Sequence, residues 1–218
     1  MISPILYLIA FGWGLGSNVE VNGMSYMNFV IPGIIAMSTM SVSFGTVANS
    51  LNISRTYDKT FEEFMTSPIH MWEYTAGKIL SGALRGLYSA ILMILLSFIF
   101  KADLTINGYF VLLTLLNCLV FSSLGFLIGM VITSHVDMSK FTNFIITPMS
   151  FLCGTFFPIE KMPMVLKEII YILPLTQSTV GLRASTQLTA TWWISPAVLL
   201  VYLGIFMFAS IRLCQKAE

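Results

Sequence analysis

Few side chains in this sequence could act as acids, bases or ligands, and their spacing matches no catalytic pattern. Glu62 and Glu63 are adjacent carboxylates, but the EExxxR pattern of some intramembrane proteases needs an arginine where Ser67 stands. His70 and His135 have no second histidine at the spacing of a metal site or a catalytic triad. We therefore expect surface histidines, solvated carboxylates, no catalytic residue and no metal site.

A phosphate-binding loop is also missing from the sequence. Gly77 and Lys78 resemble the end of a GxxxxGK[ST] loop, but Ile79 follows the lysine and Trp72 stands where the first glycine is needed. We expect that the chain does not hydrolyse ATP itself.

The composition explains why so few side chains could act as acids, bases or ligands, because the chain is too apolar for water to be its main solvent. Of 218 residues, 56% are hydrophobic and 10% are charged, whereas a soluble domain carries about 25% charged residues. The net charge of +1 gives no basic field for nucleic acid. A helix needs about 20 apolar residues to cross a bilayer. The length therefore predicts a single all-helical membrane domain over residues 1–218.

Six apolar segments are candidates for the membrane spans. They cover about residues 1–16, 28–51, 79–100, 108–133, 141–157 and 192–211. The first is short for a complete span, and the fifth is interrupted by Pro148. Aspartate and glutamate are absent from the middle of every segment, which argues against transport coupled to protons or sodium.

The basic residues near the segment ends predict the orientation, since Lys and Arg are retained on the cytoplasmic side. Placing the connection 52–78 inside puts Arg55, Lys59 and Lys78 there, together with most other basic residues near segment ends. The pair Trp192 and Trp193 begins the last segment, which agrees with a final crossing from outside to inside. The carboxyl terminus is then cytoplasmic.

Polar and small residues form a stripe along the second segment. They recur at steps of three and four residues, as one helical face requires: Ser38, Ser41, Gly45 and Asn49. Such a face could line a pathway, and interhelical hydrogen bonding with tight packing explains it equally well.

A small-residue pair in the fourth segment, Gly125 and Gly129, allows another helix to approach closely. The partner helix could belong to the same subunit or to a second copy, and the sequence favours neither strongly.

The cytoplasmic connection contains one short amphipathic helix. Its apolar face comprises Tyr57, Phe61, Phe64 and Met65, and its polar face comprises Asp58, Lys59, Glu62 and Glu63. Pro68 is expected to end this helix, because proline disfavours helix at the preceding residue. On the residues alone, a helix lying on the membrane surface is favoured over one that docks on a partner.

The outer connection 158–191 is too long and apolar for a simple loop. Pro163 is expected to open a short helix that Pro174 closes. A re-entrant helical hairpin fits this pattern, and an interfacial helix that anchors the last two segments is the alternative.

Three stretches of the chain resemble the permeases of ABC type-2 transporters. The most specific has Gly154, Pro158 and Pro163, followed by Leu173-Pro174 and Gly181-Leu182-Arg183. The others are Lys59-Thr-Phe-Glu-Glu-Phe-Met-Thr-Ser-Pro68 and Ser25-Tyr-Met-Asn-Phe-Val-Ile-Pro-Gly33. Their order along six apolar segments covers nearly the whole chain.

The resemblance implies a six-span permease bundle with extracellular re-entrant helices and assigns roles to particular residues. A coupling helix that inserts into an ATPase would comprise Tyr57, Phe61, Glu62, Glu63, Phe64 and Pro68. A pathway flanked by the second and fifth spans would comprise Ser38, Ser41, Asn49, Asn143, Thr147 and Ser150. The extracellular signature would comprise Gly154, Pro158, Pro163, Pro174 and Arg183.

The resemblance also implies partners and a function. A separate ATP-binding protein would use ATP and magnesium beneath a permease homodimer or a pair of permeases, and this chain would hold no cofactor. The expected function is export of an amphiphilic drug, lipid or lipid-linked glycan by alternating access across a bacterial inner membrane. The family normally has an interfacial helix before its first span, so a truncated permease fragment or a membrane scaffold without transport is the alternative.

Overall fold

The computed structural model of the chain describes residues 2–14, 20–21, 24–99, 104–159, 162–185 and 193–216. Its helices are α1 Ile2–Gly14, α2 Tyr26–Thr56, α3 Thr60–Thr66, α4 Met71–Ile99, α5 Gly108–Val131, α6 His135–Phe141, α7 Thr147–Leu152, α8 Met164–Ile172, α9 Pro174–Ala184 and α10 Ile194–Lys216. A π-helical turn, Thr142–Ile146, joins α6 to α7. The helical fold is as predicted, apart from a small antiparallel pairing of β1 Glu20–Val21 with β2 Met24–Ser25.

The helices agree with most of the predicted spans. Among the described residues, 4 helices are long and apolar enough to cross a membrane, namely α2, α4, α5 and α10. The first predicted segment is the shorter helix α1. The fifth is divided among α6, the π-helical turn and α7. The chain is therefore a helical membrane protein, and the count of six crossings stays a prediction.

Helix α2 occupies the centre of the bundle. In its most apolar stretch 78% of the residues are buried, against 22% for α10. It packs against α1, α4, α5 and α9, and its carboxyl-terminal end meets α3 and α6. Helices α4 and α10 are less buried and carry long exposed apolar faces, as contact with lipid or with another subunit requires.

Glycines on α4 and α5 let these helices approach α2 closely. A Cβ atom placed on Gly125 would lie 2.6 Å from the backbone oxygen of Phe44, and one on Gly129 would lie 3.2 Å from the oxygen of Ala48. On α4, a Cβ on Gly86 would lie 1.9 Å from Ser43 Oγ. The Gly125 and Gly129 pair therefore packs within the subunit, which settles the question that the sequence left open.

We expect Gly125→Ala to lower the free energy of unfolding by about 1–3 kcal/mol, because the added methyl group would press on backbone that cannot rotate away. The measurement is thermal unfolding of the purified protein in detergent. Gly77→Ala on α4 is the matched control, since a Cβ there meets nothing within 4 Å and alanine favours helix by up to about 1 kcal/mol. Equal stability of the two variants would contradict this packing.

Candidate functional site

A cavity of about 360 Å³ lies between α1, α2, α4 and α7. Its hydroxyl-bearing lining includes Ser38 and Ser41 of α2, Thr147 and Ser150 of α7, and Ser89 of α4. The fold thus brings four of the six predicted pathway residues of the second and fifth segments to one space. Ser89 was not predicted, because a single serine in an apolar helix carries no periodic signal.

The rest of the cavity wall is apolar or aromatic, and comprises Pro4, Tyr7, Met37, Val42 and Phe151. The ring of Tyr7 packs edge-on against Phe151 at 5.7 Å between centroids. No lining residue within the described part of the chain carries a formal charge. A space of this size with a few hydroxyl groups suits a small or partly enclosed ligand.

Two of the predicted pathway residues lie elsewhere. Asn49 and Asn143 are both exposed on the single subunit, and neither is part of the cavity wall. Asn49 lies on α2 about three helical turns beyond Ser38, so only part of the polar stripe reaches the cavity.

The hydroxyl groups of the cavity differ in their hydrogen bonds. Ser38 donates to the oxygen of Ile35 at 3.0 Å, and Ser150 donates to the oxygen of Thr147 at 2.6 Å. The Ser89 hydroxyl is fully buried and has no hydrogen-bond partner among the described residues. Each bonded hydroxyl keeps acceptor capacity toward the cavity.

The helical segment that carries Thr147 changes its hydrogen bonding at the cavity. In the π-helical turn the backbone amide of Thr147 donates to Thr142 O, and the Thr147 side chain donates to the same oxygen at 3.1 Å. Pro148 follows and has no amide hydrogen to donate. Both features interrupt regular α-helix, which explains why the fifth segment is broken although its sequence is apolar.

The turn after α7 follows directly on the cavity wall, and side chains from other helices satisfy its carbonyl groups. Arg183 of α9 donates to the oxygens of Gly154 at 2.5 Å and Thr155 at 3.0 Å. Its Nε donates to Phe29 O at 2.9 Å, and its guanidinium lies 3.6 Å from the centroid of the Phe29 ring. The arginine of the predicted signature thus fastens α9 to α2 and to the turn.

Two further hydroxyl groups complete this arrangement. Thr179 donates to Cys153 O at 2.8 Å, and the Tyr26 hydroxyl donates to Phe156 O at 3.1 Å. Gly154 has a φ of +76°, a conformation that glycine adopts without the strain of a side chain.

The prolines of the signature shape the helices that follow. Pro158 is buried, Pro163 precedes the first residue of α8, and Pro174 is the first residue of α9. The prediction of a helix between Pro163 and Pro174 is confirmed. Most of α8's large apolar residues are exposed on the subunit, among them Val165 and Ile169.

At the other end of α2, helix α3 covers only the part Thr60–Thr66 of the predicted amphipathic helix. Tyr57 instead caps the end of α2, and Lys59 has a left-handed φ of 53°. Phe61, however, is only 7% exposed, and its ring packs against Tyr74 of α4 at 5.8 Å. We expected Phe61 to reach a partner, but the structure places it in the chain's own core. A short amphipathic helix cannot reveal from its pattern alone which apolar residue packs inward.

The remaining predicted residues of this helix are accessible. Phe64 is 40% and Tyr57 is 64% exposed, and Glu62, Glu63 and Pro68 are also exposed. The side chain of Met65 lies outside the described residues, as does Trp192. The exposed set around α3 is therefore aromatic and acidic.

Arg55 plays a role at this end that the sequence did not indicate. It donates to Gly129 O at 3.1 Å and to Met130 O, so it satisfies carbonyls at the carboxyl end of α5, where a cation is also favoured by the helix dipole. Its guanidinium lies 5.6 Å from the Phe61 ring. Helix α3 is thereby connected to the ends of α2 and α5.

A buried asparagine joins three helices in the middle of the bundle. Asn117 of α5 donates to Ala36 O at 3.1 Å and to Thr39 Oγ1 at 2.8 Å on α2. It accepts from Ser178 Oγ of α9 at 2.7 Å. The sequence signal was an asparagine inside the apolar run 108–133, where a polar group requires a partner.

Comparison with known proteins identifies the chain. The family model of the ABC-2 type transporters matches residues 1–186. The chain belongs to the ABC-2 type transporter family. The resemblance drawn from its three motifs is thus confirmed.

Named relatives of this ABC-2 protein are transport and nodulation proteins of bacteria. The inner membrane transport permease YadH of Escherichia coli K12 is 31% identical over 185 residues, which are 84% of this chain and 72% of YadH. Nodulation protein J of Rhizobium leguminosarum bv. viciae is 26% identical over 224 residues, which are 99% of this chain and 85% of that protein. No solved structure matches this ABC-2 chain.

We expect Arg183→Met to lower the free energy of unfolding by about 3 kcal/mol or more, because each buried carbonyl left without a donor costs about 1–3 kcal/mol. Chemical or thermal unfolding in detergent measures the loss. Arg183→Lys should recover only part of it, since an ammonium group lacks the planar set of donors.

The matched control is Arg212→Met on α10, where the arginine is exposed and lies over the Phe208 ring at 5.1 Å. We expect that change to stay within about 0.5 kcal/mol. A similar loss at both positions would argue against a special role for Arg183.

Proposed function

We propose that this chain is the membrane permease subunit of an ATP-driven exporter that moves an amphiphilic molecule outward by alternating access. Residues 1–218 would act as one membrane domain, in a homodimer or beside a second permease. The name of YadH, an inner membrane transport permease, supports a transport role and a bacterial inner membrane location.

The observation that carries this proposal is that α2 extends from the cavity to helix α3. Ser38 and Ser41 of this helix line the cavity, and Arg55, near its other end, lies over the Phe61 ring of α3. A single helix therefore contacts both the polar cavity and the cytoplasmic helix. Movement of α3 would be transmitted to the cavity wall through packed side chains.

The partner would be a separate ATP-binding protein that uses ATP and magnesium. Its contact would be the exposed surface of α3, with Phe64 and Tyr57 as aromatic anchors and with Glu62 and Glu63 pairing with basic residues. Phe61 would act from inside, because it links α3 to Tyr74 and Arg55.

The change between two states would use the broken helix of the fifth segment. The π-helical turn and Pro148 weaken the backbone hydrogen bonding beside Thr147 and Ser150, so this segment can bend at low cost. ATP binding would bias the equilibrium between the two arrangements, as coupling requires.

The basic residues of the connection 52–78, with Arg212 near the end of α10, support a cytoplasmic carboxyl terminus. Arg55, Lys59 and Lys78 belong to one end of the bundle, together with α3. The helices α8 and α9 would then lie at the outer face.

We expect Phe64→Ala to weaken binding of the partner ATP-binding protein by about tenfold or more, since a central aromatic anchor contributes about 2 kcal/mol. Co-purification from lipid discs and ATP hydrolysis in the same discs are the measurements. Stability is measured in parallel, because Phe64 is 40% exposed but its ring also packs against Tyr74 at 5.1 Å.

Phe98→Ala is the matched control, since Phe98 is 60% exposed near the opposite end of α4. It should leave both association and hydrolysis unchanged. If the wild-type chain binds no ATP-binding protein, the exporter proposal is wrong and a membrane scaffold without transport becomes the better interpretation.

A further inference from the structure

The Ser89 hydroxyl is an unused hydrogen-bonding group on the wall of the cavity. The side chain is 0% exposed, it lines the cavity, and its oxygen has no partner among the described residues. Ser97, the other buried serine of α4, differs in this respect, since it donates to Ile94 O at 2.6 Å. A buried hydroxyl without a hydrogen-bond partner lowers the stability of the folded protein. A ligand that supplies the missing hydrogen bond compensates for this cost.

The charge around the cavity restricts the kind of ligand. Its described lining contains serine, threonine and tyrosine hydroxyl groups but no carboxylate, ammonium or guanidinium group. Arg85, one turn before Ser89 on α4, is exposed and is not part of the wall. A charged ligand would lose its hydration here without gaining an opposite charge.

The apolar part of the wall restricts the ligand further. Met37, Val42 and Phe151 face the same space as the hydroxyl groups, and Phe151 is held by ring contacts with Tyr7 and Phe156. A ligand that satisfies both parts has an uncharged, hydrogen-bonding head and an apolar portion.

We propose that the cavity binds an uncharged, hydroxyl-bearing amphiphile and that Ser89 forms a hydrogen bond with its polar head. This proposal rests on the exporter function and gives the chemical class of the cargo. Ser38, Thr147 and Ser150 accept further hydrogen bonds from the head through lone pairs that their own helices leave unused.

The test compares three probes with one chain length: octyl β-D-glucoside, octyl sulfate and octyltrimethylammonium. Binding of each radiolabelled probe to the full chain in lipid discs is measured by equilibrium dialysis and corrected with empty discs. We expect saturable binding of the neutral glucoside alone. Equal or tighter saturable binding of either charged probe would overturn the proposal.

Ser89→Ala should weaken glucoside binding by about two- to tenfold, the usual effect of one lost neutral hydrogen bond. Its unfolding temperature should be equal to or above that of the wild type, because an unpaired buried hydroxyl is removed. Ser97→Ala is the control and should keep the wild-type affinity. Unchanged affinity in Ser89→Ala, or a lowered unfolding temperature that reveals a structural bond, would contradict the role of Ser89.

Two sources could supply this ligand chemistry, the exported cargo and a neutral lipid of the bilayer. Glucoside binding is therefore measured in discs with and without diacylglycerol. If the cavity is a site for a resident neutral lipid, diacylglycerol will occupy it and abolish glucoside binding. That result would overturn the cargo assignment. The binding assay needs no ATP-binding protein. If the chain binds the glucoside but does not associate with an ATP-binding protein, the exporter function is refuted and the ligand proposal stands. If the chain associates with the ATP-binding protein but does not bind the glucoside, the ligand proposal is refuted and the exporter function stands.

Discussion

The need to satisfy backbone carbonyl groups away from water governs how this bundle is closed. Where α7 ends, the carbonyls of residues 153–156 leave regular helix, and Thr179, Arg183 and Tyr26 donate to them from two other helices. In hydrocarbon each unpaired carbonyl would cost several kcal/mol. The turn that follows α7 is therefore stabilised by donors that α2 and α9 supply at the same place.

A comparable arrangement holds the opposite end of the bundle. Asn52, Arg55 and Thr56 of α2 donate to carbonyls at the end of α5, and Asn117 joins α5 to α2 midway. Helix α2 thus has polar connections at both ends and in its centre, and its Ser50 accepts a hydrogen bond from Lys78 at 3.2 Å. These connections explain how a deeply buried helix can carry polar side chains in a membrane protein.

The sequence predicted the parts of this fold that depend on local pattern. Apolar runs located the long helices, Pro163 and Pro174 located α8, and three- and four-residue steps placed Ser38 and Ser41 on one face. The partners of Arg183, Asn117 and Ser89 could not be predicted, because they depend on the register between helices distant in sequence. The inward position of Phe61 was also unpredictable, since the same amphipathic pattern serves a core contact or a partner contact.

The hydrogen bond between Arg183 and Phe29 has a consequence for biosynthesis. These two residues are 154 positions apart in the chain, and Phe29 lies near the start of α2. The contact between α9 and the start of α2 can therefore form only after most of the chain has been synthesised, and the carbonyls of the turn after α7 gain their arginine donor at that late stage.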